Sequence, residues 1–276
     1  FENYGGTILT NHEVTEIIIE NGKAIGVKAK DTSKEIREIK EFYAPIIISG
    51  VGVYSTYLNL LNRNMNLEIQ KELENFTKGF SGIDLYLGLK ESPERLGIKG
   101  ENYWITDGFE LDIFENKHLE SLNGKSCYCF VSFPSMKSGT KGGHTADVVT
   151  IFPYDFFELW KKENWKERDS EYYKIKEKIA DSLLNLIEKY IPGFKELVVY
   201  REMATPVTFE HFTGKASGSF YGLPPTPDRF KIKDLRVKTP VKNLYLTGTD
   251  ILCNGILPAL FSGMGTASYL NGPLGI

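Results

Sequence analysis

Between Gly248 and Gly255 the chain sets Thr249, Asp250, Ile251, Leu252, Cys253 and Asn254 behind a short apolar run, Leu244-Tyr245-Leu246, and ahead of a helical segment reaching Leu270. A strand, a glycine turn and a helix start in that order bring unpaired backbone N–H groups beside a polar turn. A ligand with a negative or electron-rich end suits such a place. Asp250 then either accepts hydrogen bonds from a ligand hydroxyl or caps its own turn. A plain packing helix with no ligand is the other reading. Pro258 fits the first helical turn, where a missing N–H matters least. Gly263 and Gly265 let a second backbone approach closely.

Other chemistry is thin. The four histidines, His12, His118, His144 and His211, are far apart, and none stands at metal-ligand spacing, so no metal site is expected. No G-x-S-x-G elbow, phosphate loop or nucleophile–base pair is present, and no catalytic residue is identified. Glu210 and His211 could form an acid–base pair, although sequence neighbours usually point apart. Gly50-Val51-Gly52-Val53-Tyr54-Ser55 imitates G-x-G-x-x-G after the run Pro45–Ser49, but Ser55 replaces the third glycine. The following stretch, Tyr57–Phe76, is polar and helical and holds no second buried strand, as a dinucleotide fingerprint requires. Around Phe209–Gly214 and Gly218–Gly222, glycines interleave with aromatics, which suits either a planar ligand or an ordinary packed loop.

The positioning elements follow from periodicity. With 276 residues and 41% hydrophobic content, one large or two moderate domains have ample core. A formal charge of −3 argues against nucleic acid as a partner. Cys127, Cys129 and Cys253 make no disulfide framework and read as reduced thiols of a cytoplasmic protein. No apolar run reaches the ~20 residues of a membrane span. Thr7–Leu9 reads as a short strand, and Glu13–Glu20 and Lys23–Lys30 flank Asn21-Gly22, a type I′ hairpin signal. Pro45–Ser49 reads as a strand buried on both faces. In the middle, Ile83–Leu89, Cys127–Phe133 and Val148–Phe152 read as strands of an antiparallel or mixed sheet. Tyr172–Tyr190 is a helix whose buried stripe is Ile175, Ile179, Leu183, Leu186, Ile187 and Tyr190, stopped by Pro192-Gly193.

Five motifs in order carry a likeness. They are Gly5-Gly6 with the hairpin holding Val14; the strand into Ser49-Gly50-Val51-Gly52; and Ser132-Phe133-Pro134-Ser135. Then come Thr205-Pro206-Val207-Thr208 with Phe220–Pro224, and Asn243–Gly248 through Gly263. Nearly end to end, the chain resembles flavin-dependent phytoene desaturases and carotenoid isomerases, in particular the retinol-saturase-like branch. The resemblance implies an α/β (mixed α+β) fold. A partial FAD/NAD(P)-binding domain would come from about 1–60 and 236–276. Residues 61–235 would form an inserted substrate domain on a mixed or antiparallel sheet plus helices.

It implies that Val14 meets the adenosine side of FAD through its backbone. Gly248 and Asp250 would meet the pyrophosphate and ribityl chain, with Gly255 at the helix start, and Ile256, Leu257 and Ala259 would lie along the isoalloxazine ring. Thr205, Pro206, Tyr221 and Gly222 would border the substrate. Where the family usually has glycine, this chain has Pro258, so donation to the flavin is expected from Ala259 or Leu260. The family's N-terminal βαβ is missing, so the sequence reads as a fragment expected to be colourless, to lack FAD as supplied and to self-associate. The implied function is an FAD-dependent desaturase, saturase or isomerase acting on carbon–carbon bonds of an apolar polyene, with peripheral membrane contact in the whole protein. An amine-oxidase-like flavoenzyme and a non-catalytic lipid-binding module are the alternatives.

Overall fold

Asn21 and Gly22 take φ of 50° and 74°, the left-handed pair that a tight hairpin needs, and they join the first two long strands. The computed structural model describes residues 2–33, 38–76, 79–109, 117–139 and 142–272. The strands are β1 (His12–Glu20), β2 (Lys23–Asp31), β3 (Ile39–Tyr43), β4 (Ile47–Ser49), β5 (Gly82–Leu89), β6 (Tyr103–Thr106), β7 (Tyr128–Ser132), β8 (His144–Ile151), β9 (Val198–Ala204) and β10 (Leu244–Leu246). The helices that matter below are α1 (Glu68–Asn75), α2 (Ser170–Tyr190), α3 (Pro206–Thr213), α4 (Pro227–Lys231) and α5 (Ile256–Asn271).

The chain divides into two units, Phe1–Gly79 with Tyr221–Ile276, and Phe80–Phe220. The division at 60 and 236 expected from sequence therefore moves to Gly79 and Tyr221. Leu61, Ile69 and Leu73 on one side and Leu223, Ile232 and Leu235 on the other are buried in the first unit's own core. In that unit β1, β2 and β3 form an antiparallel sheet, while β4 and β10 pair in parallel. Two expectations fail here. Thr7–Leu9 forms no strand and is exposed. The β4 run is not buried on both faces, since Ile46 and Ile48 are 44% and 49% exposed.

The second unit carries a five-stranded antiparallel sheet in the order β6-β7-β8-β5-β9. Alternation sends Ile83, Leu85 and Leu87, with Cys129, Val131, Ala146 and Val148, to one face, where they share a core with Ile175, Ile179, Leu183 and Ile187 of α2. Asp169 starts α2 by accepting from Tyr172 N–H at 2.9 Å, and Gly193 at φ 87° follows its end. Tyr190, expected in the buried stripe, is half exposed and donates its hydroxyl to Thr106 O.

The opposite positions of β5 and β8 hold Asp84, Tyr86 and Asp147, with Tyr86 paired to Asp147 across the strands. Asp84 Oδ1 is buried without a hydrogen-bond partner. Burial first, and the negative charge of Asp147 second, push its carboxyl up to about 7, against a hydrogen bond from Tyr86. An unfolded aspartate ionises near pH 4. The folded state thus holds an extra proton between roughly pH 4 and 7, and this contribution to stability is lost as pH rises across that window. Asp84→Asn should remove the slope. Its melting temperature should gain on the parent between pH 4.5 and 7.5, and a difference that stays constant with pH contradicts the assignment.

Candidate functional site

β4 and β10 run side by side with Leu244 opposite Ile47 and Leu246 opposite Ser49. Both break at their C-terminal ends into glycine turns, where Gly52 and Gly248 take φ of 90° and 102°. The crevice outside the C-terminal ends of parallel strands is where α/β sheets bind ligands. Thr247 N–H donates to Ser49 O at 3.0 Å and keeps the two turns level. The chain then returns through α5, which docks by hydroxyls rather than by an apolar stripe. Ser262 Oγ accepts from Gly248 N–H at 3.0 Å, and Thr266 Oγ1 donates to Leu246 O at 3.0 Å. Ser262 and Thr266 are the buried residues of α5, whereas Ile256 and Leu257 are 91% and 63% exposed.

Asp250 fixes the crevice. It is 4% exposed, and its two oxygens serve two distant backbone donors. Oδ2 accepts from Val53 N–H at 2.9 Å and Oδ1 from Leu223 N–H at 2.8 Å. Arg229, 2% exposed, braces the same turn from behind. It donates to Leu223 O at 3.0 Å, Asn254 Oδ1 at 2.9 Å and Thr249 O at 2.5 Å. Burial lowers the Arg229 pKa and the charge of Asp250 opposes this. Burial, with Asp250 as the lesser cause, raises the Tyr54 hydroxyl to about 12. These contacts tie Asp250 to two distant segments, Val53 and Leu223, rather than to the residues of its own turn. Removing its carboxylate leaves two buried N–H groups and a buried guanidinium uncompensated, a loss on the order of 3–5 kcal/mol.

The open part of the crevice lies at Gly248 and at the start of α5. A Cβ built on Gly248 would meet only Gly50 O, at 3.9 Å, and one on Gly255 only Pro258 Cδ, at 3.7 Å. Ala259 N–H is taken by Gly255 O at 3.2 Å, so it is not the donor the sequence suggested in place of Pro258. The first-turn amides outside the helical ladder are those of Ile256 and Leu257.

The remaining predicted residues are dispersed. Val14 sits on β1 beside an irregularity in its pairing with β2, and is 36% exposed. Tyr221 and Gly222 belong to the first unit and Thr205 and Pro206 to the second. Tyr221 is half exposed, while Thr205 is fully buried, with its hydroxyl 2.8 Å from that of Tyr172, and starts α3. Glu210 and His211 form no dyad. Glu210 accepts from Tyr154 and from Lys161 at 3.0 Å, and His211 stacks on Trp165. Among the described residues no group of His, Cys, Asp and Glu could hold a metal. Arg229, Val53 and Leu223 were missed, the last two because they act through backbone. Ser262 and Thr266 left a readable signal, two hydroxyls four residues apart in an apolar helix.

The fold is that of a mixed α/β protein with a glycine-lined crevice at the ends of a parallel strand pair. The chain is 31% identical to an all-trans-retinol 13,14-reductase from Danio rerio over 98% of its own length and 46% of that protein. It is 26% identical to prolycopene isomerase 1, chloroplastic, of an Oncidium hybrid cultivar, over 99% of its length and 44% of that protein. These proteins are its homologues, and the chain spans less than half the length of each. No family model matches. A glycerol-3-phosphate dehydrogenase from Bacillus halodurans, complexed with FAD, aligns with 71% of the chain and 30% of its own at 13% identity and a TM-score of 0.35, too low to carry a fold argument.

Gly222 tests the clasp directly. It takes φ 80°, and a Cβ there would lie 2.2 Å from Asp250 Oδ1. Gly222→Ala should cost about 2–4 kcal/mol, backbone strain plus displacement of the carboxylate. Gly22→Ala, at φ 74° with nothing within 4 Å of the new Cβ, should cost the strain alone. Equal losses in urea denaturation contradict the clasp.

Proposed function

We propose that this chain is part of an FAD-dependent oxidoreductase acting on carbon–carbon bonds of an apolar polyene of the retinoid or carotenoid class. The observation that carries the reading is the open crevice at Gly248 and the start of α5, in a chain homologous over 98% of its length to an all-trans-retinol 13,14-reductase. The residues fit a flavin. Gly248 and Gly255 leave room for close backbone approach. The amides of Ile256 and Leu257 sit where a helix start favours an electron-rich edge, and their exposed side chains offer a water-excluding apolar surface.

In this reading Asp250 does not touch the cofactor first. It holds Val53, Leu223 and the Gly248 turn in the shape that receives the pyrophosphate and ribityl chain. Val14 presents backbone to the adenosine, and Ala259 lies beyond Leu257 along the ring. Tyr221 and Gly222 border the substrate in the first unit. Bound FAD would supply the two-electron chemistry. The protein's own part is orientation and exclusion of water, which accords with a site lacking an acid–base dyad. The chain spans less than half the length of these homologues, and in this reading its own hold on FAD is weak. The exposed apolar side chains of Ile256, Leu257, Leu260 and Phe261 make the outer surface of α5 its self-association surface. No helix of the described residues is long and apolar enough to cross a membrane, and the expected membrane contact is a peripheral one.

The test uses the full-length gene product and the 276-residue chain side by side. The full-length protein should purify with near-stoichiometric flavin and convert retinol or a carotenoid with a change in polyene absorbance. Gly248→Val should lower its flavin content at least tenfold. The chain alone should emerge from gel filtration without flavin and sediment as a concentration-dependent oligomer that Leu260→Asp dissociates. A full-length protein with neither flavin nor polyene turnover overturns the proposal.

A further inference from the structure

Arg168 is an unusual buried charge. It is 7% exposed, and its Nη1 donates to Tyr172 Oη at 2.9 Å. Its guanidinium carbon lies 4.8 Å from the Tyr172 ring centroid. Its Nε–H is buried with no acceptor, and no carboxylate among the described residues reaches it. The neighbouring Asp169 is occupied with Tyr172 N–H and Trp160 Nε1. An uncompensated buried cation is costly, and a guanidinium edge with a free Nε–H is the fork that grips a two-oxygen anion.

Arg168 lines a groove of about 790 Å³ within the second unit, along β9, the start of α2 and one side of α3. Its walls include Trp165, Tyr200, Phe209 and Phe212, so an apolar body has a surface to lie on. The other charged lining groups are Lys166, Lys176 and Glu202. Lys176 and Glu202 neutralise one another at 2.9 Å, and Lys166 lies over the Trp165 ring at 4.4 Å. The groove therefore keeps an excess of positive charge beside its aromatic walls, and its volume is that of a small-molecule site.

We propose that this groove binds an amphipathic oxyanion, a carboxylate- or phosphate-headed molecule with a long apolar body, its head on Arg168 and its body against the aromatic wall. The proposal is independent of the flavin reading, because every residue it uses lies in the second unit and none belongs to the Gly248 crevice.

Calorimetry on the 276-residue chain tests it, with oleate, oleyl alcohol and inorganic phosphate as probes below their aggregation limits. Oleate should bind at one site at least tenfold more tightly than oleyl alcohol. Arg168→Met should bring oleate down to the alcohol's affinity and leave the alcohol unchanged, while Trp165→Ala should weaken both. Arg168→Lys, which keeps the charge and loses the fork, should fall between parent and Arg168→Met. If Arg168→Met does not fold, the oleate-to-alcohol ratio of the parent decides between the outcomes. Equal binding of oleate and oleyl alcohol, or undiminished oleate binding by a folded Arg168→Met, overturns the proposal. Inorganic phosphate binding as tightly as oleate also overturns it, in favour of a small-anion site.

Discussion

The carboxylate of Asp250 is the interaction on which the first unit depends. Val53 and Asp250 stand 197 residues apart in sequence and are joined by one charge-assisted hydrogen bond of 2.9 Å. The second oxygen reaches Leu223 from the other side. A unit made from the two ends of a chain has a large entropy of closure to overcome. Buried hydrogen bonds to a charged acceptor are stronger than neutral ones. Arg229 completes the arrangement by tying the carbonyls of Leu223 and Thr249, so that the segments meeting at Asp250 are also held behind it. The crevice at Gly248 is the outward surface of that knot.

Charges in the two units are treated differently. In the first, Asp250 and Arg229 are almost wholly buried and hydrogen-bonded to the segments around the Gly248 turn. In the second, Asp84 and Arg168 each keep a buried atom with no hydrogen-bond partner. Native proteins rarely tolerate such groups without a reason. A network that is satisfied shapes a backbone; one left unsatisfied sits ready for a proton or an anion. The first kind suits a cradle that must be rigid before its ligand arrives, and the second suits groups that respond to what arrives.

Much of the architecture was legible where one physical rule acts alone. The Asn21-Gly22 hairpin follows from positive φ, the core face of β5 from strict alternation, and α2 from its buried stripe and stop. Reading failed where tertiary context reverses the local rule. α5 buries Ser262 and Thr266 and exposes Ile256 and Leu257, the opposite of what amphipathic patterning expects. The short β4 run was taken as buried on both faces because it is apolar, yet Ile48 is half exposed. Gly248, Gly255 and Asp250 could be picked out as a turn worth attention. The role of Asp250 could not, because its partners are backbone amides of Val53 and Leu223, which carry no signature in residue type. The unit boundaries shifted for a similar reason. Leu61, Ile69 and Leu73 and Leu223, Ile232 and Leu235, assigned from sequence to the inserted domain, are buried together in the first unit's core.

Amide hydrogen exchange in Asp250→Asn, compared with the parent chain, tests most directly whether one carboxylate holds the crevice. An asparagine side chain accepts through one atom and donates through the other, so it cannot serve both Val53 and Leu223. The account predicts that at least one of these two amides loses protection by roughly ten- to a hundredfold, while the amides pairing β1 with β2 keep theirs. Unchanged protection at both Val53 and Leu223 would contradict it.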